Sequence, residues 1–263
     1  MPAIGTVDSL WRYPVKSMRG EELEEIFVGY SGVYGDRIFA FESSRSLAAF
    51  PFFTGREQRQ LLRYRPRFRD PDQAARPINL SEAEKLGSGV TPLYADPSDL
   101  MVDVETPSGD TVAIDDPALV DMLRKGAEDN HQITLIRSER ALTDCRPVSM
   151  FALQTARKIA EETGVAVDKR RFRANIYLDL PSSYGFAENN LVGKSLRIGS
   201  RAIVSVVQRD ARCMMITLDP DTAEKEPALL KTLAQAHDGT AGVYGAVLIE
   251  GMLRKGDPVE LLD

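Results

Sequence analysis

Short apolar runs carrying β-branched and aromatic residues recur along this chain, separated by Gly, Pro and Asp turns, which is the pattern of strands. Read this way, strands are predicted at Ile4–Trp11, Leu23–Val28, Arg37–Glu42, Leu100–Glu105, Thr111–Ile114, Ile133–Arg137, Ala174–Asp179, Ser195–Ile198, Ile203–Gln208, Met214–Thr217, Ala246–Glu250 and Pro258–Leu262. Gly109 can take the positive φ of a tight turn, so Leu100–Glu105 and Thr111–Ile114 read as a hairpin. Helical spacing is confined to three segments. Pro117–Ala127 follows the capping pair Asp115-Asp116, Ser149–Thr163 stops at Gly164, and Glu226–His237 opens on Pro227 and is followed by Gly239. Strands this closely spaced predict a mainly β protein of barrels or sandwiches with a few peripheral helices, not a doubly wound parallel sheet. Arg65–Pro97 is rich in Pro, Asp, Ser and Gly and reads as loops with one short strand near Ile78–Leu80. A domain boundary is predicted in the stretch Asn130–Leu142.

The 263 residues suffice for one large core or two modest ones. Apolar and charged fractions of 43% and 27% are those of an ordinary globular protein. A net charge of −6 argues against nucleic acid as a partner, since phosphate backbones attract basic faces. No apolar run approaches the roughly 20 residues needed to span a bilayer, so no membrane partner is expected. The N-terminal segment lacks the pattern of a secretory signal, and two distant cysteines make no disulfide framework; free thiols suit a reducing cytoplasm.

Candidate chemistry centres on Cys213 in RDARCMMITLDPDT, flanked by Arg209 and Arg212, cations that favour the thiolate. The competing reading is a small apolar residue at the start of a strand. One cysteine cannot enclose a structural zinc, which takes about four ligands. His131 and His237 are the only histidines and neither neighbours another ligand in sequence. A metal held by Cys213 therefore has to arrive inside an organic cofactor. In YPVKS, Pro14 ends a strand and presents Lys16 and Ser17 in a bend suited to an anion. Arg37, at the mouth of a buried strand, needs an acceptor, from a protein carboxylate or a ligand phosphate. Alternation in RFRAN places Arg171, Arg173 and Asn175 on one face of an extended strand, either as a fork for phosphate or as a surface charge ladder. Ser149 and Thr155 sit at a predicted helix start with nothing in their spacing to mark them. Cys145, in a loop, reads as structural. Asp210 faces away from Cys213 if the strand alternates. No phosphate-cradling glycine loop and no GxSxG element is present.

YPVKS, the GDR some twenty residues later, RFRANI, the segment Arg212–Thr222 and the ending GVYGAVLIEGMLRKGDPV occur in an order that resembles the MOSC family, the molybdenum-cofactor sulfurase C-terminal domain. More closely the chain resembles its two-domain members, relatives of the mitochondrial amidoxime-reducing component. That resemblance implies an N-terminal MOSC-associated β-barrel over 1–130 and a MOSC β-barrel over 131–263. It further implies a molybdopterin cofactor, no dependence on pyridoxal phosphate, and Cys213 as both metal ligand and catalytic residue. Lys16, Ser17, Arg37, Ser149, Arg171, Arg173 and Asn175 would bind the cofactor. The implied activity is reduction of N-hydroxylated or N-oxide small molecules. No ferredoxin-like domain follows GDPVELLD, so electrons are expected from a separate ferredoxin or flavin-reductase type protein. The alternative is a protein that only carries the cofactor, or that carries sulfur as a persulfide on Cys213.

Overall fold

The computed structural model describes residues 3–87, 97–125, 127, 132–181 and 184–262. The boundary expected between 130 and 131 falls outside these residues, as does His131.

Seven strands close on themselves to form a barrel. Around it run Ile176–Asp179, Val148–Ala152, Thr240–Ile249, Ala202–Ala211, Ser195–Ile198, Pro258–Leu262 and Ala3–Arg12, which pairs back onto Ile176–Asp179. Ala3–Arg12 therefore seals a barrel whose other six strands all come from the second half of the sequence. Closure removes the free sheet edge that would otherwise invite pairing with another chain. All neighbours are antiparallel except Val148–Ala152 and Ile176–Asp179, which run parallel. A parallel pair needs a long crossover. Here it is the helix Leu153–Thr163, ended by Gly164 at φ 70°, followed by the 3-10 turn Lys169–Phe172. Alternate residues point inward, so Val7, Met150, Leu178, Val204, Val243 and Val259 share the barrel core.

The first half adds small sheets. Phe39–Leu47 pairs with Phe50–Phe52 and Ile133–Arg137, and Arg65–Phe68, Val102–Glu105 and Thr111–Ala113 form a meander. These enclose their own core of Phe39, Phe41, Phe53, Leu61, Ile114 and Leu119. A third cluster, from Trp11 and Phe151 to Ile216 and Leu229, lies beneath the helices Leu153–Thr163 and Pro227–Ala236.

Four predicted elements come out differently. Met214–Thr217 is a 3-10 turn. Residues 148–152 are a strand, and the helix begins only at Leu153. Arg171 lies in a 3-10 turn and Arg173 in the left-handed region at φ 52°, so RFRAN has no alternating face. In the Arg65–Pro97 segment the strand is Arg65–Phe68, and Leu80–Ala83 is a helical turn.

Candidate active site

Where the barrel meets the loops of the first half there is a cleft open to solvent. Lys16, Ser17, Arg37, Ser149, Arg171, Arg173 and Cys213 all line it, although they span nearly two hundred positions of sequence. Three of these, Ser17, Arg37 and Arg173, hold positive φ angles of 65°, 48° and 52°. Left-handed backbone costs a non-glycine residue about 1–2 kcal/mol. Its concentration around one cavity marks a place where side-chain position overrides backbone comfort.

Each cation is held differently. Lys16, 5% exposed, donates to the carbonyl of Leu142 at 2.7 Å and pairs with the half-exposed Asp144. Burial lowers the Lys16 pKa, against the pull of Asp144. Burial works to raise the Asp144 pKa, but Lys16, with Arg37 and Arg56, holds it below the usual carboxylate range. Arg37 pairs with the fully buried Asp36 and donates through Nη2 to the carbonyl of Arg173 at 2.9 Å. The acceptor that the sequence demanded for Arg37 is thus a protein carboxylate, one that also receives the Tyr13 amide at 2.8 Å. Burial would lower the Arg37 pKa, yet Asp36 raises it above its ordinary value.

Arg173 has no such carboxylate among the described residues. Its guanidinium lies 4.3 Å from the Tyr13 ring centre, that of Arg37 lies 4.6 Å from it, and burial pushes the Arg173 pKa down to about 10. Its Nη2 is buried and finds no acceptor among the described residues, and neither does Nε of Arg171. Arg171 otherwise donates to the Thr217 carbonyl at 2.9 Å and to Asp219 at 3.0 Å. Unsatisfied buried donors on cations are costly, and a bound anion would satisfy them.

Cys213 follows the barrel strand Ala202–Ala211 and precedes the 3-10 turn, partly exposed in the cavity. Arg209 is remote from it, exposed and pointing to Asp238 at 3.4 Å. Arg212 donates to the carbonyls of Ala241 and Phe172 at 2.7 and 2.8 Å, so it braces the wall. The cation that couples to the thiol is Arg56, which lines the same cavity and whose pKa is raised chiefly by the Cys213 side chain. Sequence reading missed Arg56. Its signal was the glycine before it, because a Cβ on Gly55 would come within 2.6 Å of Met215 Sδ. That close approach lets the Thr54–Gln58 loop pack on the turn after Cys213.

Asn175 does not reach the cavity. It is fully buried, its Nδ2 donates to the Trp11 carbonyl at 3.3 Å, and its Oδ1 accepts from the Ser149 amide at 3.3 Å. It therefore supports Ser149, which does line the cavity. Thr155 lies elsewhere, donating to the buried Glu188 at 2.7 Å. Cys145 is exposed and accepts from Gln208 Nε2 at 3.2 Å. Asp210, expected to face away, lines the cavity together with Tyr244, Phe50 and Arg146. His237 stacks on Phe186 at 3.8 Å and meets Glu162 at 2.6 Å. Among the described residues no group of three or more His, Cys, Asp or Glu could hold a bare metal ion. No helix there is long and apolar enough to cross a membrane.

Residues 137–260 match the family model of the MOSC domain, and residues 4–84 match that of the MOSC N-terminal beta barrel domain. No curated protein matches the chain. Among solved structures, the YuaD protein of Bacillus subtilis is 14% identical over 98% of this chain and 94% of its own, with a TM-score of 0.48. YiiM of Geobacillus stearothermophilus is 24% identical over 45% of this chain with a TM-score of 0.36, and YiiM of Escherichia coli is 20% identical over 45% with a TM-score of 0.34. The chain spans 55% of the length of either YiiM.

Proposed function

Because the chain belongs to the MOSC family, we propose that it binds a molybdenum cofactor in this cavity and uses it to reduce N-hydroxylated small molecules. The residues present fit such a group. A phosphorylated, anionic cofactor would meet Lys16, Ser17, Arg37, Arg171 and Arg173, two of which carry buried donors with no acceptor among the described residues. That convergence, on the same cavity as Cys213, is the observation that carries the reading. When bound, the molybdenum supplies the two-electron chemistry that removes oxygen from the substrate.

Cys213 is the protein ligand in this reading, the single thiolate required when a cofactor brings its own sulfur donors. Ser149, held by Asn175, completes the polar floor. Phe50, Met215 and Ile216 line an apolar flank along which a substrate body can lie, while Arg56 stands beside Cys213. The net reaction takes an N-hydroxylated compound, two electrons and two protons to the amine-level product and water. The electrons come from a separate donor protein of the ferredoxin or flavin-reductase type. The two free thiols suit a cytoplasmic setting.

A second reading, that Cys213 only carries the cofactor or a persulfide, is favoured by the thiol's partial exposure beside Arg56. Metal analysis of the purified protein and of Cys213→Ala, together with benzamidoxime reduction using a donor pair, separates the two. Stoichiometric molybdenum that is lost in Cys213→Ala, with turnover by the unmodified protein, supports the reductase. Molybdenum-free protein with a persulfide mass shift at Cys213 overturns it.

A further inference from the structure

Reduction of an N–O bond consumes two protons per turnover, and the reading above names no protein group that supplies one. Two carboxyl groups line the cavity, Asp144 and Asp210. Asp144 is bound to Lys16 and held as a carboxylate. Asp210 is placed differently. It continues the inward face that Ala202, Val204 and Val206 begin on the barrel strand, and it is 2% exposed. An apolar side chain would be the ordinary occupant of that face, since burying a carboxylate is costly.

The surroundings of Asp210 compensate the charge only in part. Arg212 Nη2 lies 2.7 Å from Oδ2 but lacks hydrogen-bond alignment, and the rest of that guanidinium is committed to backbone carbonyls. Tyr244 shares the cavity wall with Asp210, and it and Arg37 favour the carboxylate while Asp144 disfavours it. Burial raises the Asp210 pKa to about 6, with Asp144 adding to the rise and Arg212, Tyr244 and Arg37 opposing it. A carboxyl so placed exchanges its proton near neutral pH, the property asked of a general acid.

We propose that Asp210 delivers the proton that turns the departing hydroxyl oxygen into water, with Tyr244 beside it in the cavity wall. As the N–O bond breaks, the nitrogen keeps an electron pair and takes the second proton from solvent. The donor protein supplies the two electrons, and the Asp210 carboxylate is reprotonated from solvent. This rests on the reductase reading.

The test uses the protein with and without cofactor. In cofactor-free protein, an infrared titration should show a neutral-carboxyl band that disappears with a midpoint near pH 6 and is absent from Asp210→Asn. In loaded protein, kcat for benzamidoxime should fall as pH rises past the Asp210 pKa. Asp210→Asn, at equal molybdenum content, should lower kcat about 100-fold and flatten that profile. Tyr244→Phe removes a donor that favours the carboxylate, so it should move the midpoint of the fall to higher pH. Should Asp210→Asn not fold, the shift in Tyr244→Phe and the infrared midpoint decide the matter. A missing band, an unmoved midpoint, or Asp210→Asn with wild-type kcat and profile overturns the role of Asp210 and leaves the reductase standing. Wild-type protein that holds molybdenum but reduces no N-hydroxylated compound overturns both.

Discussion

The barrel and the cavity beside it are built on opposite terms. Inside the barrel, Met150, Leu178, Val204 and Val259 are fully buried and apolar, and closure pairs the strands all round. Around the cavity, cations in the lining outnumber carboxylates, three guanidinium donors lack hydrogen-bond acceptors among the described residues, and three non-glycine residues hold positive φ. One region stores stability. The other holds strain and incompletely compensated charge. A rigid neighbour is what allows such a site to persist.

The sharpest way to break this contrast is to remove Asp36. It neutralises buried Arg37 and accepts the Tyr13 amide, so Asp36→Ala should cost about 3–5 kcal/mol in urea unfolding, the scale for stranding one member of a buried pair. A much smaller loss would mean that solvent already compensates Arg37. Next comes the barrel: Leu178→Ala should cost about 2–5 kcal/mol by the same measurement, with cofactor binding retained by whatever fraction stays folded.

The opposite sign is expected at Arg173. Arg173→Gly relieves a left-handed residue of its Cβ and removes a buried Nη2 with no acceptor among the described residues, so cofactor-free protein should gain about 1–2 kcal/mol. Equilibrium binding should show weaker cofactor retention in the same variant. Loss of stability instead would show that Arg173 is satisfied without a ligand. The smallest effect lies outside both regions. Asp221, partly exposed, has its pKa lowered chiefly by Arg170, so Asp221→Asn should cost no more than about 1 kcal/mol at pH 7. Because the folded-state pKa is depressed, that difference is present above the unfolded carboxylate's range and vanishes as pH falls through the folded value. Thermal midpoints of the two proteins should converge in acid.

Much of the barrel could be read from the sequence, because strands such as Ala3–Arg12 and Pro258–Leu262 alternate or run apolar between clear turns. The run VSMFA was absorbed into the following helix, since a short apolar run has no period of its own to separate strand from helix. At the site, residue types were legible and geometry was not. Arg171 and Arg173 pointed to an anion through their chemistry, yet the alternation that seemed to align them is absent, as nothing in an arginine announces φ 52°. Asp210 was misplaced because parity was carried across position 211, where the strand ends and the chain turns. Arg56 was missed because it reaches Cys213 only through the packing of Gly55 on Met215, a long-range fit with no local pattern.

The strand Ala3–Arg12 pairs with Ile176–Asp179 on one side and Pro258–Leu262 on the other. Those partners stand some 170 and 250 residues further along the chain, so an apolar strand has to wait unpaired until distant segments reach it. Contacts of such long separation slow folding. Exposure to aggregation should therefore be greatest before the barrel closes, while Ala3–Arg12 still offers unpaired edges to another chain.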